Sequence, residues 1–548
     1  MENIANRESM TIEFKSDKDC LPEADIVEAV VAFANSDGGD LYLGVEDDGS
    51  ITGLHKSHQN IVGLAAMIAN KTVPSVSARC VTISDYNIPI IKISVPRCVG
   101  ITATSSGKIL RRRLKADGAP ENVPMYPFEI TNRLSSLGRL DFSAQPLPDA
   151  SCSDLDPVER ERLRNIIDSY YGEKNLLELS DEELDKALQL ITTIDGNLVP
   201  TYTGMLLIGR KDRLKLLMPT AETAMQVMQG TTIKVNDSFK LPLLAAFEKI
   251  NDLIEAWNHE EEFDLNMFRI SIPDIDKRAF REALVNAFCH RDYSLLGRVR
   301  IKLDDEGLLI SNPGGFMEGI NIKNLLDAEP HGRNPVLADA LKRIGLAERT
   351  GRGIDRIFEG SLLYGRMLPD YSASTERNVS LFIPKGIPDK SFIRMISERQ
   401  KKLGHPIPIY SLLILNILKN QHRSTLREIA QEININETRA KVALETMLEE
   451  GLVEAAGNGR SRRYILSSRV YQITGDVAAY VRQSGIDEMR HKELILKLAH
   501  KQGYVTRGNV ADLLRLSPPQ AYRTLQKLVK AGNLVLEDKG RYARYLLP

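Results

Sequence analysis

The last third of the chain repeats itself. "REIAQEININETRAKVALETMLEEGLV" and "GNVADLLRLSPPQAYRTLQKLVKAGNLV" superpose at a constant offset of 81 residues. Ala430 matches Ala511, Ala440 matches Ala521, Leu444 matches Leu525 and Gly451 matches Gly532. Met447 falls on Leu528 and Leu448 on Val529, apolar for apolar, and the pair Arg463-Tyr464 falls on Arg544-Tyr545. Each copy reads helix, short turn, helix, then two strands around a basic turn. That order is helix-turn-helix plus wing, and it predicts two winged-helix modules over 391–475 and 485–548.

The rest of the chain must hold several further cores, because 548 residues are too many for one. An apolar content of 43% with 26% charged residues is that of a globular protein. The start, MENIANRESM, lacks a basic segment followed by an apolar core, and no run approaches the roughly 20 apolar residues of a membrane span. Five scattered cysteines without C-x-x-C spacing argue against a disulfide framework and a zinc site, and suit a reducing cytoplasm. The net charge of −1 hides an asymmetry: from 391 onward 26 Lys+Arg stand against 15 Asp+Glu, leaving −12 before that point and +11 after it. A basic end on an acidic body points to a polyanion partner.

Residues 1–140 alternate strands and helices: "MTIEFK", a helix over about 23–35, "DLYLGVED" and its turn at Asp48-Gly49, a helix from about 58, and a hairpin of "ARCVTIS" with "IPIIKISVP". "SAQPLPDASCSDLDP" reads as a linker. Over 150–240 a helical start leads to two expected strands, "GMLLIGR" and "TAMQVMQG". Within 241–388 an amphipathic helix (about 241–258) precedes "REALVNAFCHRDYS", a hairpin of "RVRIKLD" with "EGLLISNPGGF", a short helix "NPVLADALKRIG", and a glycine-rich turn entering a helix, "ERTGRGIDRIFEG".

Two constellations carry chemistry. Glu8, Glu13, Lys15 and the cluster Glu46-Asp47-Asp48 could bring carboxylates around a divalent cation with a lysine beside a phosphate. Strand parity puts Glu46 on the polar side and leaves Asp47 and Asp48 to the turn; the alternative is a set of solvated strand-end charges. In "REALVNAFCHRDYS", Glu282, Asn286 and His290 recur every four residues and share one face of an otherwise apolar helix. A buried carboxylate, amide and imidazole in line need partners, from a ligand or from the protein.

The segments "ESMTIEFKSDKD" and "VVAFANSDGGDLYLGVEDDGSITGL" resemble the Schlafen/AlbA-type domain over about 1–135. The resemblance implies, for nuclease members, an acidic triad that cleaves RNA with a divalent metal, here Glu8, Glu13 and Glu46 or Asp47, with Lys15; many microbial members look like regulators instead. From about 150 to 385, "REALVNAFCHRDYS", "ISNPGGF" and "GRNPVLADALKRIGLAERTGRGIDRI" resemble the RecG-like ATP-binding module, whose fold is similar to the GHKL ATPases. That resemblance implies that Glu282 positions a water, that Asn286 ligates magnesium, and that Asn312 stands where the family has its adenine-binding aspartate. Gly314 and Gly315 follow it, and Gly351 and Gly353 would cradle phosphate with Arg352 as charge partner. No G-x-x-x-x-G-K-[ST] loop occurs, so a helicase motor finds no support.

The winged helices predict outward Arg439 and Lys441 in copy one and Arg523 and Lys527 in copy two. Wing candidates are Arg460, Arg462 and Arg463, then Lys539, Arg541 and Arg544. Such modules also mediate protein contacts. The expected whole is a multidomain α+β chain: a Schlafen/AlbA-like α/β domain, a GHKL-like α/β sandwich and two C-terminal winged helices. It reads as a cytoplasmic regulator that binds double-stranded DNA and an adenine nucleotide (ATP with Mg), with no membrane partner and with room for a homo-oligomer. The alternative is a Schlafen-type metal-dependent nuclease acting on RNA or single strands.

Overall fold

The computed structural model describes residues 7–85, 88–115, 117–265, 268–329, 332–348, 351–456, 462–467, 470, 491–492, 494–514, 516–537 and 543–548. A four-stranded sheet opens the chain. Strand β1 (Ile12–Lys15) runs parallel to β2 (Gly39–Leu43), with Phe14 opposite Tyr42. Helix α1 (Glu23–Ala34) connects them, and α2 (Ile61–Lys71) follows. Strand β3 (Arg79–Asp85) and β4 (Ile88–Val95) form the expected hairpin, giving the sheet order β1-β2-β4-β3.

One face of α1 buries Ile26, Ala29, Val30 and Phe33 with Leu41, Leu43, Ile91 and Ile93 of the sheet. Its other face, Val27, Val31 and Ala32, packs under Leu110. A helix covered on both sides has no polar stripe, and this one is almost wholly buried. The second cover is a hairpin of β5 (Leu110–Leu114) and β6 (Pro120–Pro124). Asn35 at the end of α1 ties that cover down, donating to the carbonyls of Thr102 (2.7 Å) and Leu110 (2.8 Å).

The central body is built on a five-stranded sheet. Helix α3 (Pro157–Ser169) and a short helix α4 (Tyr202–Ile208) precede its first strands, β7 (Thr223–Gln229) and β8 (Thr232–Phe239). The segment "GMLLIGR", expected as a strand, is α4 instead. Thr201 caps it by accepting from the Gly204 N–H at 3.1 Å, and Thr203 through Ile208 are buried all round. An apolar run without amphipathic period does not distinguish a buried strand from a buried helix. Gly204 permits the packing, since a Cβ there would sit 2.0 Å from the Leu190 carbonyl oxygen.

Helix α5 (Leu243–Trp257) and α6 (Lys277–His290) follow, then β9 (Val299–Leu303) and β10 (Gly307–Pro313). After α7 (Pro335–Arg343) and α8 (Gly353–Leu362), β11 (Asn378–Pro384) completes the sheet order β8-β7-β9-β10-β11. Helix α6 lays Ala283, Leu284, Ala287 and Phe288 in the same core as Val299, Ile301 and Ile310. The stretch read as a linker is no loose spacer. Leu147 is buried in this core, and Asp141 and Ser143 accept from the first amides of α7, Val336 N (2.9 Å) and Leu337 N (3.2 Å).

Helix α9 (Lys390–Leu403) and α10 (Ile409–Gln421) lead into the repeat. Copy one consists of β12 (Ser424–Thr425), α11 (Leu426–Glu432), α12 (Glu437–Glu449), β13 (Val453–Ala456) and β14 (Arg463–Leu466). Copy two consists of β15 (Val505–Thr506), α13 (Arg507–Leu514), α14 (Pro518–Lys530), β16 (Val535–Leu536) and β17 (Arg544–Leu546). Ser424 pairs with Tyr464 and Val505 with Tyr545, so the offset of 81 carries over to the strand register. Ala440, Leu444, Met447, Ala521, Leu525 and Leu528 are all buried, as the repeat predicts. No described helix is long and apolar enough to cross a membrane.

Leu147→Ala should lower stability by about 2–5 kcal/mol, the cost of a cavity at a buried leucine. A thermal or urea unfolding curve within experimental error of wild type would mean that the segment is a spacer after all.

Candidate functional site

The N-terminal acids are tied down one by one. Glu13 is 3% exposed on β1. The Arg112 guanidinium donates to its Oε2, Asn122 Nδ2 lies 3.1 Å from both oxygens, and Lys15 Nζ is 2.8 Å from Oε1. Arg112 also donates to the Ser9 carbonyl at 2.8 Å and stacks over Phe33 at 4.5 Å. Glu8 accepts from the Phe14 amide at 2.9 Å. Glu46 accepts from Thr52 Oγ1 (2.6 Å) and Ser16 Oγ (2.9 Å), with Lys18 at 3.2 Å; these bonds, the hydroxyls first, hold its carboxyl below the usual range.

Lys15 does sit amid the acids. Burial lowers its pKa, but Glu13, then Glu8 and Asp47, outweigh that and raise it. Even so, among the described residues no three His, Cys, Asp or Glu side chains group closely enough to hold a metal ion. Among the described residues the structure therefore does not assemble Glu8, Glu13 and either Glu46 or Asp47 into a metal-holding triad. Glu13 spends its lone pairs on Arg112, Asn122 and Lys15, which is the chemistry of a buried ion pair.

The stripe on α6 is different. Glu282 is 2% exposed, and burial pushes its carboxyl up to about 7, against smaller lowering effects from Arg281, the Glu348 backbone N–H and Arg356. The first turn of α8 lies directly over it. A Cβ on Gly353 would stand 3.0 Å from Glu282 Oε2, 3.6 Å from Asn286 Nδ2 and 3.8 Å from Asn286 Oδ1. Thus Glu282, Asn286 and Gly353, distant in sequence, form one constellation, and glycine is what permits the approach. Burial, with Arg333 nearby, lowers the His290 imidazole to about 4.

The glycines that follow Asn312 are packed by the protein itself. Gly314, at φ +96°, has Asp292 Cβ 2.9 Å and Arg333 Nε 3.3 Å from where its Cβ would be, and Gly315 has the Glu376 carbonyl at 2.4 Å. Asn312 is buried and donates to the Pro313 carbonyl at 3.2 Å. Gly351 (φ +74°) and Arg352, the residue before α8, are exposed.

A polar cluster that the sequence reading missed lies at the end of α6. Arg333 reaches Asp292 Oδ2 at 3.3 Å and the Gly315 carbonyl at 3.2 Å. Asn334 Nδ2 donates to the carbonyls of Cys289 (2.8 Å) and Arg291 (2.9 Å), capping the helix. Arg333 Nε and Asn334 Oδ1 are buried without a partner among the described residues. The signal was present in "GRNP", where arginine and asparagine precede a helix-starting proline.

In the repeats, Arg463, Arg523, Lys527 and Arg544 are exposed, while Arg462 is half-buried. Arg544 lies over the Tyr504 ring at 4.6 Å and Arg462 over Tyr464 at 5.4 Å. Lys441 is 3.7 Å from Glu445, and Arg439 is engaged by Asp327 of the central body. Arg460, Lys539 and Arg541 lie outside the described residues.

Comparison with known proteins fits this division. Residues 8–118 match the family model "Schlafen, AlbA_2", and 297–382 match "Putative ATP-dependent DNA helicase recG C-terminal". Residues 133–224 match a domain of unknown function, DUF8451, and 398–548 match "DNA glycosylase AlkZ-like". Among curated proteins, none matches the sequence. The crystal structure of the DIP2311 protein from Corynebacterium diphtheriae is similar at 19% identity and a TM-score of 0.51, covering 98% of this chain and 95% of that one. At that identity it is the fold that is shared. The chain carries a Schlafen/AlbA domain and a RecG C-terminal-like ATPase module, in the expected order.

Two measurements test the electrostatics. Arg112→Met leaves the Glu13 carboxylate buried beside Asn122 and Lys15 alone, and should cost about 3–5 kcal/mol in urea unfolding; a cost below about 1 kcal/mol would show the pair to be dispensable. The second is pH dependence. With Glu282 raised from 4.5 to about 7, the folded chain binds more protons than the unfolded between those values, so stability falls as pH rises through that window. His290, lowered from 6.5 to about 4, makes stability rise with pH between about 4 and 6.5. The two oppose each other. Relative to wild type, Glu282→Gln should gain stability with rising pH, and His290→Asn should lose it; parallel curves for all three would refute the assignment.

Proposed function

We propose that this chain is an ATP-binding, DNA-binding regulator that senses or slowly hydrolyses the nucleotide in its central body. Within this reading, duplex DNA is held by the C-terminal repeats, acting as winged helices. The proposed division is 1–140, 150–240, 241–388, 391–475 and 485–548. The observation that carries the reading is the convergence of Glu282, Asn286 and Gly353. A carboxylate and an amide oxygen one helical turn apart, with a glycine backbone at contact distance, suit a magnesium-bound triphosphate. The RecG C-terminal match begins just after α6 and includes Asn312, Gly314 and Gly315.

Magnesium-ATP, when bound, supplies a hydrolysable phosphoanhydride. The chain's own residues would act around it. The Asn286 amide oxygen would ligate the cation. Glu282, with a carboxyl near neutrality, would hold or release a proton at a water beside the phosphate. Arg352, exposed before α8, would meet phosphate charge. Asn312 would accept the adenine amino group only by giving up nothing on its oxygen side, since its nitrogen is the atom donating to Pro313.

The metal-dependent nuclease reading draws no support from the separate pairing of Glu13 and Glu46.

Calorimetry with ATP and magnesium should give binding for the wild type and at least tenfold weaker binding for Asn286→Ala. Glu282→Gln should bind nucleotide yet lose any turnover. No heat from the wild type, or equal affinity for wild type and Asn286→Ala, would sink the assignment.

A further inference from the structure

The two repeats share a fold but not a surface. Residues 409–466 carry 8 Lys+Arg against 7 Asp+Glu, while the equally long 491–548 carries 11 against 4. Nearly all the basic excess of this pair therefore lies in copy two. The second helices show the same contrast. On α12, Glu437, Glu445 and Glu449 accompany Arg439 and Lys441; α14 carries Arg523, Lys527 and Lys530 with no acid. Arg523 and Lys530 are exposed and make no ion pair among the described residues.

The start of α12 is also already in use. Arg439 Nη1 lies 2.5 Å from Asp327 Oδ1, and its guanidinium stacks over the Tyr410 ring at 4.3 Å. The Tyr410 hydroxyl donates to the same Asp327 oxygen at 2.7 Å, and Asn434 Nδ2 donates to the Lys323 carbonyl. Asp327 and Lys323 belong to the central body, in the turn between β10 and α7. In this arrangement the leading arginine of α12 is turned to a carboxylate and a ring of the protein rather than presented to a phosphate.

The cores tell the same story. The apolar core of copy one includes Leu362 at the end of α8, with Leu326, Phe358 and Leu363 packed against it. The core of copy two, from Ile495 to Tyr545, draws on its own residues alone among those described. One repeat shares its core with the central body, and among the described residues the core of the other does not.

We propose that the repeats have divided roles. Copy one is an intramolecular docking module, fastened to the central body through Arg439, Tyr410 and Asp327. Copy two presents the duplex-binding face through Arg523, Lys527 and Lys530. The second half rests on the DNA-binding reading above and narrows it from both repeats to copy two; the first half does not rest on it.

The test uses the full chain. Binding to a mixed-sequence duplex is followed by fluorescence anisotropy over a range of NaCl concentrations. Arg523→Glu with Lys530→Glu should weaken binding at least tenfold and reduce the salt slope by roughly two, one per lost phosphate contact. Arg439→Glu should leave the affinity within about threefold and the slope unchanged. Equal losses in both would overturn the division. Hydrogen exchange supplies the independent readout for docking. Arg439→Glu should speed exchange of the backbone amides at 321–328, and the charge exchange Asp327→Arg with Arg439→Asp should restore protection. Unchanged exchange at 321–328 in Arg439→Glu would overturn the docking role. If the wild type binds no duplex at low salt, the DNA-binding reading falls and the role of copy two with it, while the exchange result still decides the role of copy one.

Discussion

Much of this architecture hangs on the close approach of Gly353 to Glu282. A carboxylate with 2% exposure is costly unless something answers it. Here the Glu348 backbone N–H does so, and a Cβ on Gly353 would stand 3.0 Å from Oε2, so the carboxylate would have to give way to any larger residue there. The same helix ends at Leu362, buried in the core of the first repeat. Ten residues therefore run from the polar stripe of the central sheet domain to the apolar heart of the next module. A shift of α8 at either end is felt at the other because packed interiors do not compress.

Elsewhere the chain uses charge for construction. Arg112 with Glu13, and Arg333 with Asp292, are pairs in which both partners are largely buried. Each joins segments far apart in sequence: Arg112 binds the β5–β6 hairpin to β1, and Arg333 binds the approach to α7 to the end of α6. Such pairs add little net stability over an apolar replacement, but losing one partner is expensive. An acidic motif in the sequence is thus not a metal site until the basic partners have been located. For Glu13 the basic partners are Lys15 on the same strand and Arg112, 99 positions away, joined by the neutral amide of Asn122, 109 positions away.

What could be read from the sequence follows the range of the interactions involved. The repeat was legible because identical local packing requires similar residues at a fixed offset, and strand register then inherits it. The hairpins β3–β4 and β9–β10 were legible from alternation and turns. The stripe on α6 was legible from its period, and the structure adds what faces it. The helix α4 was not, because burial on all sides erases the periodicity that separates helix from strand. The seating of "SAQPLPDASCSDLDP" was hidden because Pro, Ser and Asp suit both free linkers and helix caps, and Asp141 and Ser143 serve as caps for a helix some 195 positions later. The outward face of α12 was correctly placed on the helix, yet its engagement by Asp327 is a tertiary contact that no local pattern encodes.

The proton states of the stripe deserve the last step of the argument. Burial displaces Glu282 and His290 in opposite directions, the acid toward neutrality and the base away from it. Between about pH 4 and 7 both are therefore mostly uncharged, and α6 carries a polar but neutral line, buried at Glu282 and half-buried at Asn286 and His290. A neutral line can be buried without a counter-ion, which is why the apolar packing of Ala283, Leu284, Ala287 and Phe288 around it is tolerated. Close to pH 7 the balance tips at one position alone. Of the two, Glu282 is then the group that exchanges a proton near neutrality, while His290 stays neutral.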